Sequence, residues 1–329
     1  MNRIFVVYNP NSSRYSDVRK EVLDKLKNLK GYIVGKYEVE KTDVDKNAEK
    51  FSKVLKDGDL VISAGGDATG IIASNAILKS GKAATLAVLP YGNFNDLSRT
   101  LGTKTLEDVL GAGGRNLSFE GPKTWPSGPE RPEKDRFGQD PRQKLYPLEI
   151  YVDGKFFRYA TCYVTIGMMG EAVKLYDTKK MRKKLKTNFG RKVTSYTALA
   201  SWYFKNRHKK VFLPEFKLNG KLQSKKVSDY CAMNGKYMAR IMKGGEDYKD
   251  PKIFRREAAK LTSFWRLFSL MAKSIISRVP GSETKGDKLE FLEPATVELQ
   301  AEGEYKVFKN IKTIEVRKGD KCLKVITKN

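Results

Sequence analysis

Three short polar turns carry residue types suited to handling phosphate. Gly65-Gly66-Asp67-Ala68-Thr69 follows an apolar run at 59–63 and precedes a helical pattern at 70–79. Glycines in that setting let backbone N–H groups approach an anion, and a helix N-terminus adds a favourable dipole. Asp67 can hold Mg2+ there, directly or through water, and the Thr69 hydroxyl can reach a phosphate oxygen. Leu89-Pro90-Tyr91-Gly92-Asn93-Phe94-Asn95-Asp96-Leu97 follows the next strand-like run, 85–89. Asn9-Pro10-Asn11-Ser12-Ser13 follows a β-branched and aromatic run at 3–8. Each turn also has an ordinary reading. Glycine is common between strand and helix, Asn95-Asp96 can cap a helix, and Asn9 can be a plain turn residue. Together they gain meaning if the preceding strands are parallel, because all three then lie at one carboxyl edge, where open α/β sheets bind ligands.

The elements around these turns predict such a sheet. Val18, Val22, Leu23, Leu26 and Leu29 recur at helical spacing over 15–29. Residues 32–39 read as a strand and 44–55 as a helix. Apolar strands alternating with helices imply a parallel sheet covered on both faces. The pattern breaks over 111–142, which holds Pro122, Pro126, Pro129, Pro132 and Pro141 and reads as a long loop or linker. Beyond it the texture changes to hairpins, with Asp153-Gly154, Asn219-Gly220 and Asn234-Gly235 beside strand-like runs. Helical patterns interrupt at 191–204 and 261–279, and short strands return over 289–326. The fold class expected is α/β: an N-terminal doubly wound parallel-sheet domain plus a β-rich antiparallel C-terminal domain. The expected boundaries are 1–120 for the first domain, with 311–329 returning to it, 121–144 for a linker or insertion, and 145–310 for the second domain.

Composition removes several function classes. The chain has 329 residues, one histidine and three cysteines. A lone His208 argues against a histidine metal centre and a Ser-His-Asp triad. Cys162, Cys231 and Cys322 are too few and too scattered for a disulfide framework or a zinc site. No apolar stretch approaches the ~20 residues that span a bilayer, and the N-terminal run is too short for a secretory signal, so a cytoplasmic chain is expected. Net charge is +26, and residues 151–329 carry +22 of it. The densest run is 174–192, with Lys179, Lys180, Arg182, Lys183, Lys184, Lys186, Arg191 and Lys192. Such an excess suits an anionic partner, although it can equally be a solvated face. An anionic membrane surface is expected, placing the protein peripherally at the inner face. No RNA-recognition or zinc-finger signature accompanies the charge, so nucleic acid is not expected. The oligomeric state is open.

Taken in order, Asn9-Pro10-x-Ser12, Gly65-Gly66-Asp67-x-Thr69 and Leu89-Pro90-x-Gly92-x-x-Asn95-Asp96 resemble the diacylglycerol kinase catalytic-domain family, which is related to sphingosine and ceramide kinases. The resemblance is strongest over residues 3–102. It continues loosely at 157–173, at 229–237 and at Ala301-Glu302-Gly303-Glu304, which looks like the family's Asp-Gly-Glu turn. Gly-Gly-Asp alone is shared with NAD kinases and phosphofructokinases, and the Leu-Pro-x-Gly-x-x-Asn-Asp segment favours lipid kinases.

The resemblance implies an ATP- and Mg2+-dependent kinase acting on a lipid hydroxyl such as that of diacylglycerol, with ATP between the two domains. Carried over by position, it implies that Asn9, Ser12, Thr42, Gly65, Gly66, Thr69, Gly92 and Asn93 line the nucleotide site. It implies that Asp67 engages Mg2+ and phosphate, that Asn95 and Asp96 bound the acceptor side, and that Glu302 and Glu304 lie near the transferred phosphoryl group, one of them helping to deprotonate the hydroxyl. A kinase for another hydroxyl, such as that of NAD, and a silent nucleotide-binding relative are the alternatives. The chain departs from the family at Ala68, where a third glycine is usual, at Asn93 for Thr, at Ser13 for Gly and at Glu302 for Asp. Ala68 would be strained if its backbone required positive φ. Near residue 255 the family has an acidic stretch holding a structural Mg2+, and this chain reads Phe254-Arg255-Arg256-Glu257-Ala258.

Overall fold

The computed structural model describes residues 2–41, 43–112, 142–167, 213–223, 227–238, 242–259 and 281–328, with the single positions 197, 201, 204 and 269. The basic run 174–192, most of the loop 111–142, Thr42 and the helical patterns at 191–204 and 261–279, apart from those single positions, lie outside the described residues.

Strands β1 (Asn2–Tyr8), β2 (Tyr32–Glu38), β3 (Leu60–Gly65) and β4 (Thr85–Pro90) form a parallel sheet in the order β2-β1-β3-β4. The chain leaves β1 towards both sides of the sheet, so the turns after β1 and β3 flank a topological switch point. Helices cover both faces. The segment α1 (15–27), which includes a π-turn at Arg19–Leu23, packs Val18, Val22 and Leu26 on Ile4, Val6 and Tyr8. On the opposite face, α2 (Val44–Ser52) and α3 (Asp67–Ser80) pack Phe51, Ile71 and Ile72 on Val7, Val61 and Val88. Two short helices follow β4, α4 (Asp96–Leu101) and α5 (Leu106–Ala112).

The second sheet is antiparallel. Its strands are β6 (Leu148–Val152), β7 (Lys155–Ala160), β8 (Tyr163–Gly167), β9 (Phe216–Leu218), β10 (Lys221–Leu222), β11 (Asp229–Met233), β14 (Phe254–Ala259), β15 (Ser282–Thr284), β16 (Gly286–Ala301) and β17 (Glu304–Lys318). Two further pieces, β12 (Tyr237–Met238) and β13 (Met242–Lys243), pair with each other. The main order is β15-β14-β11-β8-β16-β17-β6-β7.

Asp153-Gly154 and Asn219-Gly220 form the hairpin turns expected of them, with φ of 47° and 75°, and 50° and 78°. Asn234-Gly235 does not. Neither residue has the positive φ that such a turn requires, and β11 pairs with β8 and β14 instead.

The crossing back to the first sheet is later than residue 311. Ile311, Ile314 and Val316 are buried on the second core, which keeps β17 in the second sheet to Lys318. Only β18 (Leu323–Ile326) rejoins, parallel to β4. Residues 142–144 belong to β5 (Arg142–Leu145), an edge strand on β18 rather than linker.

Helix α3 joins the sheets. Residues 69–78 are all buried, and the polar Ser74 and Asn75 among them are hydrogen-bonded. One side lies on the first sheet, and the other meets β7, the edge of the second. There the Asn75 amide donates to Tyr159 O and accepts from Tyr159 N, both at 3.0 Å, which satisfies groups an edge strand would otherwise leave open. Beside it the Arg158 guanidinium grips both oxygens of Asp45 on α2, at 3.0 and 2.7 Å.

Candidate active site

The carboxyl edge of the first sheet brings two of the predicted turns into contact. Tyr91 N donates to Gly65 O at 3.0 Å, extending the β3–β4 ladder by one bond. A Cβ on Gly92 would stand 2.2 Å from Gly66 Cα, so position 92 has no room for a side chain. Asn95 folds its own turn: Oδ1 accepts from Gly92 N at 2.7 Å and Nδ2 donates to Gly92 O at 2.8 Å. Its φ of 56° is one that asparagine tolerates. Asp67, at the start of α3, then caps α4. Its Oδ2 accepts from Asn95 N at 3.0 Å and its Oδ1 from Asp96 N at 2.7 Å. Asn93 lies half-buried in the same turn. Ala68 is in the first turn of α3 with ordinary φ, so the missing third glycine brings no backbone strain.

A cleft of about 450 Å³ opens between the sheets. The first domain contributes Asn9, Lys41, Asp43, Ala68 and Thr69, and the second contributes Arg158, Glu304, Tyr305 and Lys306. Asn9, Thr69 and Glu304 therefore line one cleft. Gly65, Gly66 and Gly92 are not among its lining residues. Ser12 stands one turn away, its N–H donating to Asn9 O at 3.1 Å. Thr42 lies outside the described residues, between Lys41 and Asp43 of the cleft wall. Sequence reasoning missed Arg158, Lys41 and Lys306. No local motif surrounds them, and only the packing of β7 and β17 against the first domain brings Arg158 and Lys306 here.

Glu302 is separated from Glu304 in environment. It occupies the tight turn between β16 and β17 with φ of 52°, followed by Gly303 at 91°. Its side chain is 2% exposed. Oε1 accepts from Thr161 N, from Thr161 Oγ1 at 2.7 Å and from Cys162 N at 2.5 Å. Burial pushes the carboxyl up to about 7, against the pull of these donors, and the Asp96 carboxylate adds to the rise. Asp67 is also raised, by burial first and then by the charge of Asp96, with Glu302 contributing. Burial likewise raises the Cys162 thiol and the Tyr163 phenol, and Asp67, Asp96 and Glu302 reinforce both. Three carboxyl groups thus share one low-dielectric region, a pattern typical of functional sites.

That donor set fits Mg2+. Mg2+ prefers hard oxygen ligands and is commonly held by one or two carboxylates plus substrate phosphates. Among the described residues no cluster of three ligating side chains forms a protein cage. Asp67 is the carboxylate that stands at the Gly65-Gly66 turn. Elsewhere, Arg255 and Arg256 face acids: Arg255 lies 3.4 Å from Asp247 and 3.0 Å from Glu283, and Arg256 lies 2.6 Å from buried Asp287.

Residues 3–114 match the family described as the diacylglycerol kinase catalytic domain. A diacylglycerol kinase of Bacillus subtilis (strain 168) is 33% identical over 114 residues, covering 34% of this chain and 37% of that protein. A diacylglycerol kinase of Staphylococcus aureus (strain MRSA252) is 28% identical over 197 residues, covering 50% of this chain and 62% of that protein. The matched part is thus less than two thirds of the length of these relatives. The crystal structure of a diacylglycerol kinase from Bacillus anthracis str. Sterne shares the fold, with 99% of this chain and 97% of that one aligned at 14% identity and a TM-score of 0.58. Motifs, family match and fold agree: residues 3–114 match the diacylglycerol kinase catalytic domain, and the chain as a whole is similar in fold to a bacterial diacylglycerol kinase.

Proposed function

We propose that the protein is an ATP-dependent lipid kinase that transfers the γ-phosphoryl group to a lipid hydroxyl such as that of diacylglycerol. The observation that supports this reading is that buried Glu302 shares one low-dielectric region with Asp67 and Asp96, near enough for their charges to act on one another. In this reading the glycine turn binds phosphate, Asn95 and Asp96 bound the acceptor side, and Glu302 accepts the proton. ATP lies in the cleft, against Asn9, Thr69 and the Glu304 end of β17. Asp67 would hold Mg2+, which would supply charge neutralisation to the phosphates, and Lys41 and Lys306 supply further positive charge from the cleft wall. The acceptor oxygen attacks the γ-phosphorus in line, its new O–P bond forms as the bond to the β-phosphate oxygen breaks, and ADP leaves. Glu302 takes the hydroxyl proton. A carboxyl tuned to about 7 suits a general base at neutral pH, because it is partly ionised yet basic enough to accept. Phosphoryl transfer needs chiefly positioning and charge neutralisation, which these residues supply.

The basic second half would hold the protein on an anionic inner membrane face, where each nearby Lys or Arg contributes about 1 kcal/mol. No described helix is long and apolar enough to cross a membrane.

The test is transfer from γ-labelled ATP with Mg2+ to a mixture of lipids and NAD, followed by phase partition. Label in the organic phase, abolished by Asp67→Asn, is the expected result. Label in an aqueous nucleotide product would assign the NAD-kinase alternative, and Asp67→Asn retaining transfer would remove Asp67 from the chemistry.

A further inference from the structure

The Thr161-Cys162 turn between β7 and β8 has its backbone polar groups committed on both sides. Its donors converge on a single atom, Glu302 Oε1: Thr161 N, Thr161 Oγ1 and Cys162 N. Its acceptors point the other way, into the Asn234-Gly235 turn. Asn234 Nδ2 donates to Thr161 O at 2.8 Å, while Asn234 N and Gly235 N both donate to Cys162 O at 2.7 Å. The two turns touch, since a Cβ on Gly235 would stand 3.0 Å from Cys162 Cα. Asn234 is fully buried and is itself braced. Its Nδ2 also donates to Tyr146 O at 2.9 Å, and its Oδ1 accepts from buried Lys318, whose ammonium donates to Asp247 O at 2.6 Å. The Thr161 and Cys162 amides therefore have one fixed direction, and hydrogen bonds in series polarise one another.

This arrangement makes the two oxygens of Glu302 unequal. A carboxylate oxygen has two lone pairs, and Oε1 already faces three donors, so it has no capacity left for a proton. Among the described residues no donor meets Oε2. The backbone of Glu302 is held in the left-handed region, a conformation that persists where surrounding contacts over-determine it.

We infer that the Thr161-Cys162 turn, braced by Asn234 and Lys318, is the positioning device of the reaction: it pins Oε1 of Glu302 and leaves Oε2 as the oxygen that meets the acceptor hydroxyl. The inference rests on the reading of Glu302 as proton acceptor. Thr161 is its separable part, because the hydroxyl can be removed without touching the amides.

Thr161→Val replaces the hydroxyl by a methyl and keeps the β-branched shape, and Thr161→Ser keeps the hydroxyl. In the lipid-transfer assay Thr161→Val should lower kcat by about 10- to 100-fold, the effect of a catalytic group displaced by ~1 Å, while KM for ATP moves less than about twofold. Thr161→Ser should stay within about threefold of the wild type. If valine prevents folding, Thr161→Ala gives the same comparison. A double-mutant cycle in urea unfolding reads the pin without activity: the cost of Thr161→Val should shrink sharply in a Glu302→Ala background. Equal costs in both backgrounds, or serine and valine variants equally impaired, would overturn the inference. A wild-type chain that transfers to no lipid while the cycle still shows coupling would overturn the lipid-kinase reading and leave the pin standing.

Discussion

Substituting Gly92 by alanine tests the contact on which the site depends. The added Cβ would lie 2.2 Å from Gly66 Cα, 2.8 Å from Asn95 Oδ1 and 3.0 Å from Gly66 N. Comfortable carbon–carbon contact is about 3.5 Å, so the two turns must separate by about 1.3 Å. The neighbour is backbone, which cannot rotate away. Gly92 does not have positive φ, so the cost is steric rather than conformational. Overpacking of this kind costs about 1–3 kcal/mol, and the wider gap also stretches the Asn95 bonds to Gly92. We expect a loss of about 2–3 kcal/mol, a midpoint lower by about 5 °C, and transfer reduced about 100-fold because Asp67 and Asn95 no longer hold their spacing. Gly70→Ala is the matched control. Its Cβ would meet only Leu97 Cδ2 at 3.5 Å, within helix α3. There alanine should stabilise by about 0.5–1 kcal/mol. Circular dichroism melts and the labelled-ATP assay read both variants. A Gly92→Ala protein with wild-type midpoint and wild-type transfer would show that the turns do not touch as described.

In metal-free buffer, burial holds the Glu302 carboxyl near 7 in the folded chain against an ordinary 4.5, so the folded state binds its proton more tightly than the unfolded one. That contribution, about 3 kcal/mol at most, is complete below pH ~4.5 and lost as pH rises through ~7. Unfolding of Glu302→Gln should therefore lack this loss between pH 5 and 8, and parallel pH profiles for variant and wild type would refute the assignment. Arg158→Ala strands Asp45 beside a buried gap and should cost about 3 kcal/mol, whereas a change under ~0.5 kcal/mol would mean that the pair does not hold the sheets together. Flotation with anionic vesicles should recover the protein at low salt and not at high salt. Salt-independent recovery, or none at low salt, counts against electrostatic docking.

How the site is held was only partly legible in the sequence. The glycine and Asn-Asp turns could be read because each is local. A strand, a turn with φ-permissive or capping residues and a helix follow within about a dozen positions, and short-range sterics decide all three. The hairpins at Asp153-Gly154 and Asn219-Gly220 were legible for the same reason. Asn234-Gly235 has the same dipeptide and a different fate, because Cys162 O and Thr161 O compete for its donors from more than 70 residues away. No local pattern announces that competition. Ala68 looked like a source of strain beside a glycine-rich turn, and it proved to be an ordinary first-turn helical residue once the start of α3 was known.

The sequence by itself determined the chemistry available: carboxylates at Asp67, Asp96, Glu302 and Glu304, glycine and Asn-Asp turns after strand-like runs, and a strongly basic second half. Tertiary structure alone decided how that chemistry is divided. It put Glu304 in the cleft and Glu302 in the buried carboxyl group, although one residue separates them, because the tight turn points one side chain back to Thr161 and Cys162 while β17 carries the other outward. It also decided that Asp67 clasps the Asn95-Asp96 turn. Such bonds join residues 28 to 141 positions apart, and their energy depends on exclusion of water, which exists only after the two sheets have closed on α3.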